Sequence, residues 1–193
     1  MTQWLSHRMV ERGIIKEEEQ ELYQFGIRNG MILLLNVVTA LVIGLLTEQL
    51  AVVAVFTLSF MVLRSYTGGY HSDSRIFCYL GSNLVLLVPV YTQAVFYKTS
   101  LAWLLAVLLV SAGIIFLLSP MHSKNRKLDK EEQKHFGRKA RLIAALELAV
   151  LGILWHAGQI PYAYAVYTGI CITALFMLIG KAQLWIQSHT ENR

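Results

Sequence analysis

Two side chains seven residues apart, His71 and Cys78, could do covalent chemistry together. A free thiol has a pKa of about 8.5 and is mostly protonated at neutral pH, so a cysteine nucleophile needs a base beside it. In one continuous helix the two residues would share a face but stand about 10.5 Å apart along the axis. A hydrogen bond needs roughly 3 Å. The pair works only if His71 lies on a loop that bends back towards a helix carrying Cys78. The run GGYHSDSRIFC allows that path. Gly68 and Gly69 can take backbone angles closed to other residues. Ser72, Asp73 or Ser74 can cap a helix that starts just after the histidine and carries Cys78 one to two turns in. The helix dipole fades over its first turn, so most of the thiol activation falls to His71. Asp73 could orient His71 as a third member, although capping the helix is its simpler role. On these residues alone, the run also fits an ordinary polar connector.

The elements around the run are membrane helices. Residues of the AVILMFWYC class make up 55% of the chain, charged residues 15%, and mean hydropathy is +0.50. Soluble domains carry about 25% charged residues. Crossing the hydrocarbon core takes about 20 apolar residues. Ile27–Leu46, Ile76–Tyr97, Leu101–Leu118 and Tyr162–Ile179 meet that length. Leu142–Ala157 is slightly short and carries Glu147, and Leu50–Leu63 is the shortest, with 14 residues. The expected fold class is therefore all-α: a polytopic membrane protein with about six transmembrane helices. Residues 1–26 add an N-terminal segment in which Trp4, Leu5 and Met9 share a helical face. It reads as an interfacial amphipathic element or as a solvated helix leading into the first span. It is too polar for the apolar region of a signal peptide, so no cleavable leader is expected. One domain, 1–193, is expected, without internal repeats.

Charge sets the expected orientation. Lys124, Arg126, Lys127, Lys130, Lys134, Arg138, Lys139 and Arg141 crowd the basic loop 120–141, which is expected to be partly helical from Asp129. Arg8, Arg12, Lys16 and Arg28 lie near the N-terminus, and Arg64 and Arg75 flank the His71 loop. The other side has only Lys98, with Glu48 nearby. The positive-inside rule then puts both termini and the His71–Cys78 loop in the cytoplasm. No basic face interleaved with aromatics is present, so a nucleic-acid partner is not expected. Neither cofactor nor metal is expected, since there is no HExxH motif and the other histidines lack partners at ligand spacing.

Several polar residues have bland readings beside sharper ones. Glu147, inside a span, is functional by default or snorkels towards Arg141. Asn36, Asn83 and Gln93 are expected to bridge helices, and Pro89 to kink the third span. Cys171 lies in an apolar segment with no base nearby, so it is not expected to act as a nucleophile. Arg64 serves as a positive-inside anchor, or it binds an acidic substrate tail or an oxyanion.

The run RSYTGGYHSDSRIFC resembles the motif of the accessory gene regulator B family, membrane peptidases of Gram-positive quorum sensing. Arg64, Gly69, His71 and Cys78 stand at the motif positions. IIKEEEQELYQFGIRNG before the first span and SPMHSKNRKLDKEEQKHFGRKAR in the basic loop are similar to the family as well. The resemblance covers almost the whole chain. It implies a cysteine endopeptidase of the bacterial cell membrane, with catalytic His71 and Cys78 supported by Arg64 and Gly69; Asp73 stays a supporting candidate by its position alone. The enzyme's substrate would be a small AgrD-type propeptide. In such a reaction the cysteine attacks a peptide carbonyl and releases the C-terminal tail, holding the rest as a thioester. A side chain within the peptide then closes a thiolactone or lactone ring. The competing function is a small peptide or lipid transporter without catalysis, which inverted repeats would favour; none is visible. The partners expected are the propeptide and the lipid bilayer, with a homodimer as the base-rate assembly.

Overall fold

The computed structural model describes residues 2–68, 75–121 and 129–190. Among them there are helices and turns and no strand. The chain divides into two units, Met1–Thr39 and Ala40–Arg193.

The first unit holds α1 (Thr2–Glu11), a 3₁₀ turn (Glu17–Glu19) and most of α2 (Gln20–Leu46). Trp4 and Leu5 are exposed on α1, and the Arg8 guanidinium lies 5.3 Å from the centre of the Trp4 ring. The Glu19 carboxylate accepts the Lys16 amide at 3.1 Å and so closes the entry to the turn. Along α2, Leu33, Leu34, Leu35, Val37 and Val38 all face outwards. A helix this apolar and this exposed suits hydrocarbon rather than water.

In the second unit, α8 (Ile160–Thr190) is the central helix. Its spanning part is 61% buried, against 33% for α3 (Leu50–Thr67) and 11% for α6 (Leu101–Leu118). A helix buried on most sides needs no amphipathic pattern, and α8 is apolar all round. It packs on α3, α6, α7 (Lys130–His156), α4 (Arg75–Tyr91) and α5 (Gln93–Lys98). On α3, Val53, Phe56, Ser59, Leu63 and Thr67 recur at helical spacing and form its buried face. Opposite them, Gly169 brings the α8 backbone so close that a Cβ there would lie 2.6 Å from Ser59 Oγ. Small residues permit such approaches between membrane helices, where packing replaces the hydrophobic effect.

Five helices are long and apolar enough to cross a membrane: Glu17–Leu46, Leu50–Thr67, Tyr79–Lys98, Leu101–Leu118 and Ile160–Ile186. The second, the shortest by sequence, extends to Thr67, and its 18 residues rise about 27 Å. The expected sixth, Leu142–Ala157, is not among these five. It is the apolar half of α7, a single 27-residue helix whose other half is charged. The expected helical part of the basic loop runs into it without interruption. No proline interrupts residues 130–156, and the one glycine of its charged half, Gly137, serves a close contact described below. The third span is interrupted, but three residues beyond Pro89, which lies inside α4. Proline lacks the amide its helix needs and crowds the preceding turn. The helix stops at Tyr91 and resumes at Gln93. Thr92 fills the gap, its hydroxyl 2.6 Å from Tyr164 Oη on α8.

Candidate functional site

The approach to the His71–Cys78 run is built by four elements. α3 ends in the sequence Arg64-Ser65-Tyr66-Thr67, and the Gly68 amide caps it by donating to the Arg64 carbonyl at 3.3 Å. Gly68 has φ 72° and ψ −154°, a backbone region open almost only to glycine. The expectation that a glycine turns the chain sharply here is met at Gly68. The turn is also crowded: a Cβ on Gly68 would stand 2.6 Å from the Met121 carbonyl oxygen. Met121 returns the contact, its amide donating to the Thr67 carbonyl at 2.9 Å. Two segments far apart in sequence are thus locked backbone to backbone.

Side chains brace that lock. Arg64 donates from its guanidinium to the Gly68 carbonyl, and the group lies 5.3 Å from the centre of the Phe176 ring of α8. Its charge is therefore spent partly on holding the turn. Tyr66 packs against Phe136 of α7, with ring centres 6.4 Å apart, and Lys139 Nζ lies 5.8 Å from the Tyr66 ring centre. Behind Met121, a Cβ on Gly137 would meet Pro120 Cδ at 2.9 Å, so glycine there admits the 119–121 segment against α7. Ser119 is buried, and its amide caps α6 through the Ile115 carbonyl at 3.1 Å.

The chemistry-bearing residues divide accordingly. Arg64 is placed in the last turn of α3 beside Gly68. Gly69, His71 and Asp73 lie outside the described residues. Cys78 is the fourth residue of α4, at the end of its first turn, where the sequence argument puts it; its side chain also lies outside the description. Met121, Gly137 and Phe176 were missed by sequence reasoning. Only the Ser-Pro-Met run and a glycine within a charged helix hinted at the first two.

The remaining polar expectations resolve unevenly. Glu147 does not reach for Arg141. It accepts a hydrogen bond from Ser59 Oγ at 2.9 Å, joining α7 to α3 next to Gly169. Arg141 instead donates from Nε to the Phe116 carbonyl at 3.2 Å, at the end of α6. Gln93 bonds Tyr97 of its own helix at 3.4 Å rather than a neighbouring one. Buried Oδ1 atoms of Asn36 and Asn83 have no hydrogen-bond partner among the described residues. Cys171 lines an apolar cavity of about 340 Å³ with Phe96, Trp103, Tyr164 and Tyr167. No group of three His, Cys, Asp or Glu residues that could hold a metal occurs among the described residues.

With this geometry in hand, likeness to known proteins is informative. A putative AgrB-like protein 2 from Clostridium perfringens (strain 13 / Type A) is 24% identical over 131 residues, 65% of this chain and 61% of the relative. A putative AgrB-like protein from strain SM101 of the same species matches equally. The chain thus spans about 61% of the length of these two clostridial relatives. The accessory gene regulator protein B of Staphylococcus intermedius is 26% identical over 156 residues, 79% of this chain and 80% of the relative. No solved structure matches the chain. The family model described as accessory gene regulator B matches residues 1–179, which contain the whole α3–α4 junction. The chain, a multi-pass membrane protein by its apolar helices, belongs to the accessory gene regulator B family.

Proposed function

We propose that the protein is a membrane cysteine endopeptidase that processes and cyclises a small propeptide in quorum sensing. Family membership supports the coarser role in processing a quorum-sensing peptide. The observation that carries the finer one is the locked turn at Gly68. It fixes where the His71 segment departs from α3, while α4 presents Cys78 at the end of its first turn. Only residues 68–74 separate α3 from α4 in sequence, so a histidine among them is never far along the chain from the first turn of α4.

In this mechanism His71 takes the Cys78 proton, and the thiolate attacks the scissile carbonyl. The histidine returns the proton to the leaving amine, so the C-terminal tail departs and the peptide remains as a thioester on Sγ. An internal thiol or hydroxyl of the peptide then displaces Cys78 and closes the ring. Thioester exchange is nearly neutral in energy, whereas water would end the reaction irreversibly. A site at the membrane border limits water and keeps the internal nucleophile near, where effective molarities reach about 10⁵ M. Both termini and the catalytic loop face the cytoplasm in this reading, because the basic loop does. Arg64 positions the loop, and Asp73 orients His71 or caps α4.

The test uses the full chain in liposomes with its co-encoded small peptide. Mass spectrometry should find an acyl adduct on Cys78 and a released tail. Intact peptide moved across the bilayer, with no adduct, would establish the transporter instead.

A further inference from the structure

Where α6 ends and α7 begins, an open cavity of about 610 Å³ has Leu117, Ser119 and Pro120 on one side and Lys134, Arg138 and Arg141 on the other. The three cations follow a spacing of four and then three residues, so they share one face of α7. All three are exposed, and among the described residues none is within ion-pair distance of a carboxylate. Arg141 is anchored through Nε to the Phe116 carbonyl and lines the cavity. Three cations on one helix face, at the end of a membrane helix and without an ion pair among the described residues, form a site for a phosphate group.

The occupant is indicated by what lies along the same face. The charged half of α7 gives way at Leu142 to its apolar half, so the cations sit at the level of lipid headgroups. Continuing from Arg141 at helical spacing come Ala145, Ala149 and Gly152, all exposed, with exposed Leu142 and Leu146 beside them. On α6, Leu117 is 83% exposed at the cavity rim, with exposed Val110 further along that helix. A soluble anion would have no use for an apolar lane. We infer that this cavity binds the phosphodiester headgroup of an anionic phospholipid, with an acyl chain lying along the small-residue face of α7. The lipid would hold α6 to α7 next to the Pro120–Gly137 contact that supports the locked turn.

Native mass spectrometry of the full chain, released from micelles containing phosphatidylglycerol or phosphatidylcholine of the same acyl chains, tests this. Phosphatidylglycerol should be retained and phosphatidylcholine lost. The triple variant Lys134→Gln, Arg138→Gln, Arg141→Gln should weaken retention roughly a hundredfold, at about fivefold per cation, while Lys181→Gln, an exposed cation elsewhere, changes nothing. Ala149→Trp should weaken retention of the lipid by blocking the lane while leaving the cations in place. Circular dichroism of each variant should match the unsubstituted chain, since every altered residue is exposed. Equal retention of both lipids, or unaltered phosphatidylglycerol retention in the triple variant, overturns the assignment. So does displacement of the lipid by glycerol phosphate at equal concentration, which would make this a plain anion site. Displacement by an acidic peptide at concentrations that leave the bilayer intact would make it a peptide site and overturn it likewise.

Discussion

The two ends of the α3–α8 core are built on different principles. At one end Phe96 is the centre of an aromatic cluster, with its ring centre 4.8 Å from that of Tyr164, 5.3 Å from Tyr167 and 6.2 Å from Trp155. Its polar atoms close on each other, as in the Thr92–Tyr164 bond, and the cavity beside it is lined mostly by carbon. At the other end Leu63, Ile115 and Met177 make a smaller core under a backbone knot of Thr67, Gly68 and Met121. There the cations gather and α3 gives way to the segment bearing His71 and Cys78. Aromatic packing tolerates small changes by repacking, whereas two carbonyls and two amides fixed at hydrogen-bond distance do not. The first end supplies stability. The second supplies position.

Each end holds a cysteine, and exchanging their fates is the sharpest way to break the contrast. Cys78→Ala should abolish both adduct and tail release, and Cys171→Ala should leave them within a factor of about two, since no base stands near an apolar-cavity thiol. An adduct that maps to Cys171 would reverse the assignment of the two ends.

The next largest effect falls on the base. With His71→Ala the thiol keeps its ordinary pKa of about 8.5, so only a few per cent is thiolate at pH 7 and cleavage should fall by about a hundredfold or more. Raising the pH towards 9 deprotonates the thiol and should recover part of the rate. Full recovery should not occur, because the leaving amine still needs a proton. A variant whose rate is flat between pH 7 and 9 would show that thiolate formation is not what His71 provides.

Gly68→Ala tests the knot itself. A side chain at this φ costs about 1–3 kcal/mol, and the Met121 carbonyl must also move. Processing should fall about tenfold or more while the protein still inserts, with the thermal midpoint lowered as well. Unchanged processing in a variant that is destabilised would separate the turn from the chemistry.

Tyr164→Phe carries the smallest effect. It removes the hydroxyl bonded to Thr92 and should cost about 1 kcal/mol, read as a lower midpoint in thermal unfolding. Processing per folded molecule should not change. If it does, the aromatic end has a catalytic role and the division between stability and position is wrong.

Much of this was legible in the sequence, for identifiable reasons. Apolar runs located the helices because backbone groups in lipid must be satisfied within a segment. Pro89 did not mark the interruption at Thr92, since a missing amide and a crowding ring act on the turn before the proline and not after it. Gly68 could be read as a turn, since its backbone freedom is intrinsic. Its contact with Met121 could not, because nothing local ties residue 68 to residue 121. The same holds for Ser59 and Glu147: the sequence offered Arg141 as a partner six residues away, and the fold supplied a serine on another helix. In α7 the helical stretch from Asp129 and the apolar stretch from Leu142 were both legible, and the structure joins them in one helix. The contact of its Gly137 with Pro120 was not legible, because nothing local ties residue 137 to residue 120.

The bond from Met121 to Thr67 has a consequence for how the chain could be cut. Met121 is fastened on one side of residues 122–128 by its own amide, and α7 is fastened on the other by Pro120 against Gly137. These two contacts tie both α3 and α7 to the end of α6 directly. Two polypeptides divided within residues 122–128 and made in the same cell would meet across a ready-made joint. The turn at Gly68 would form in the reassembled pair as it does in the single chain.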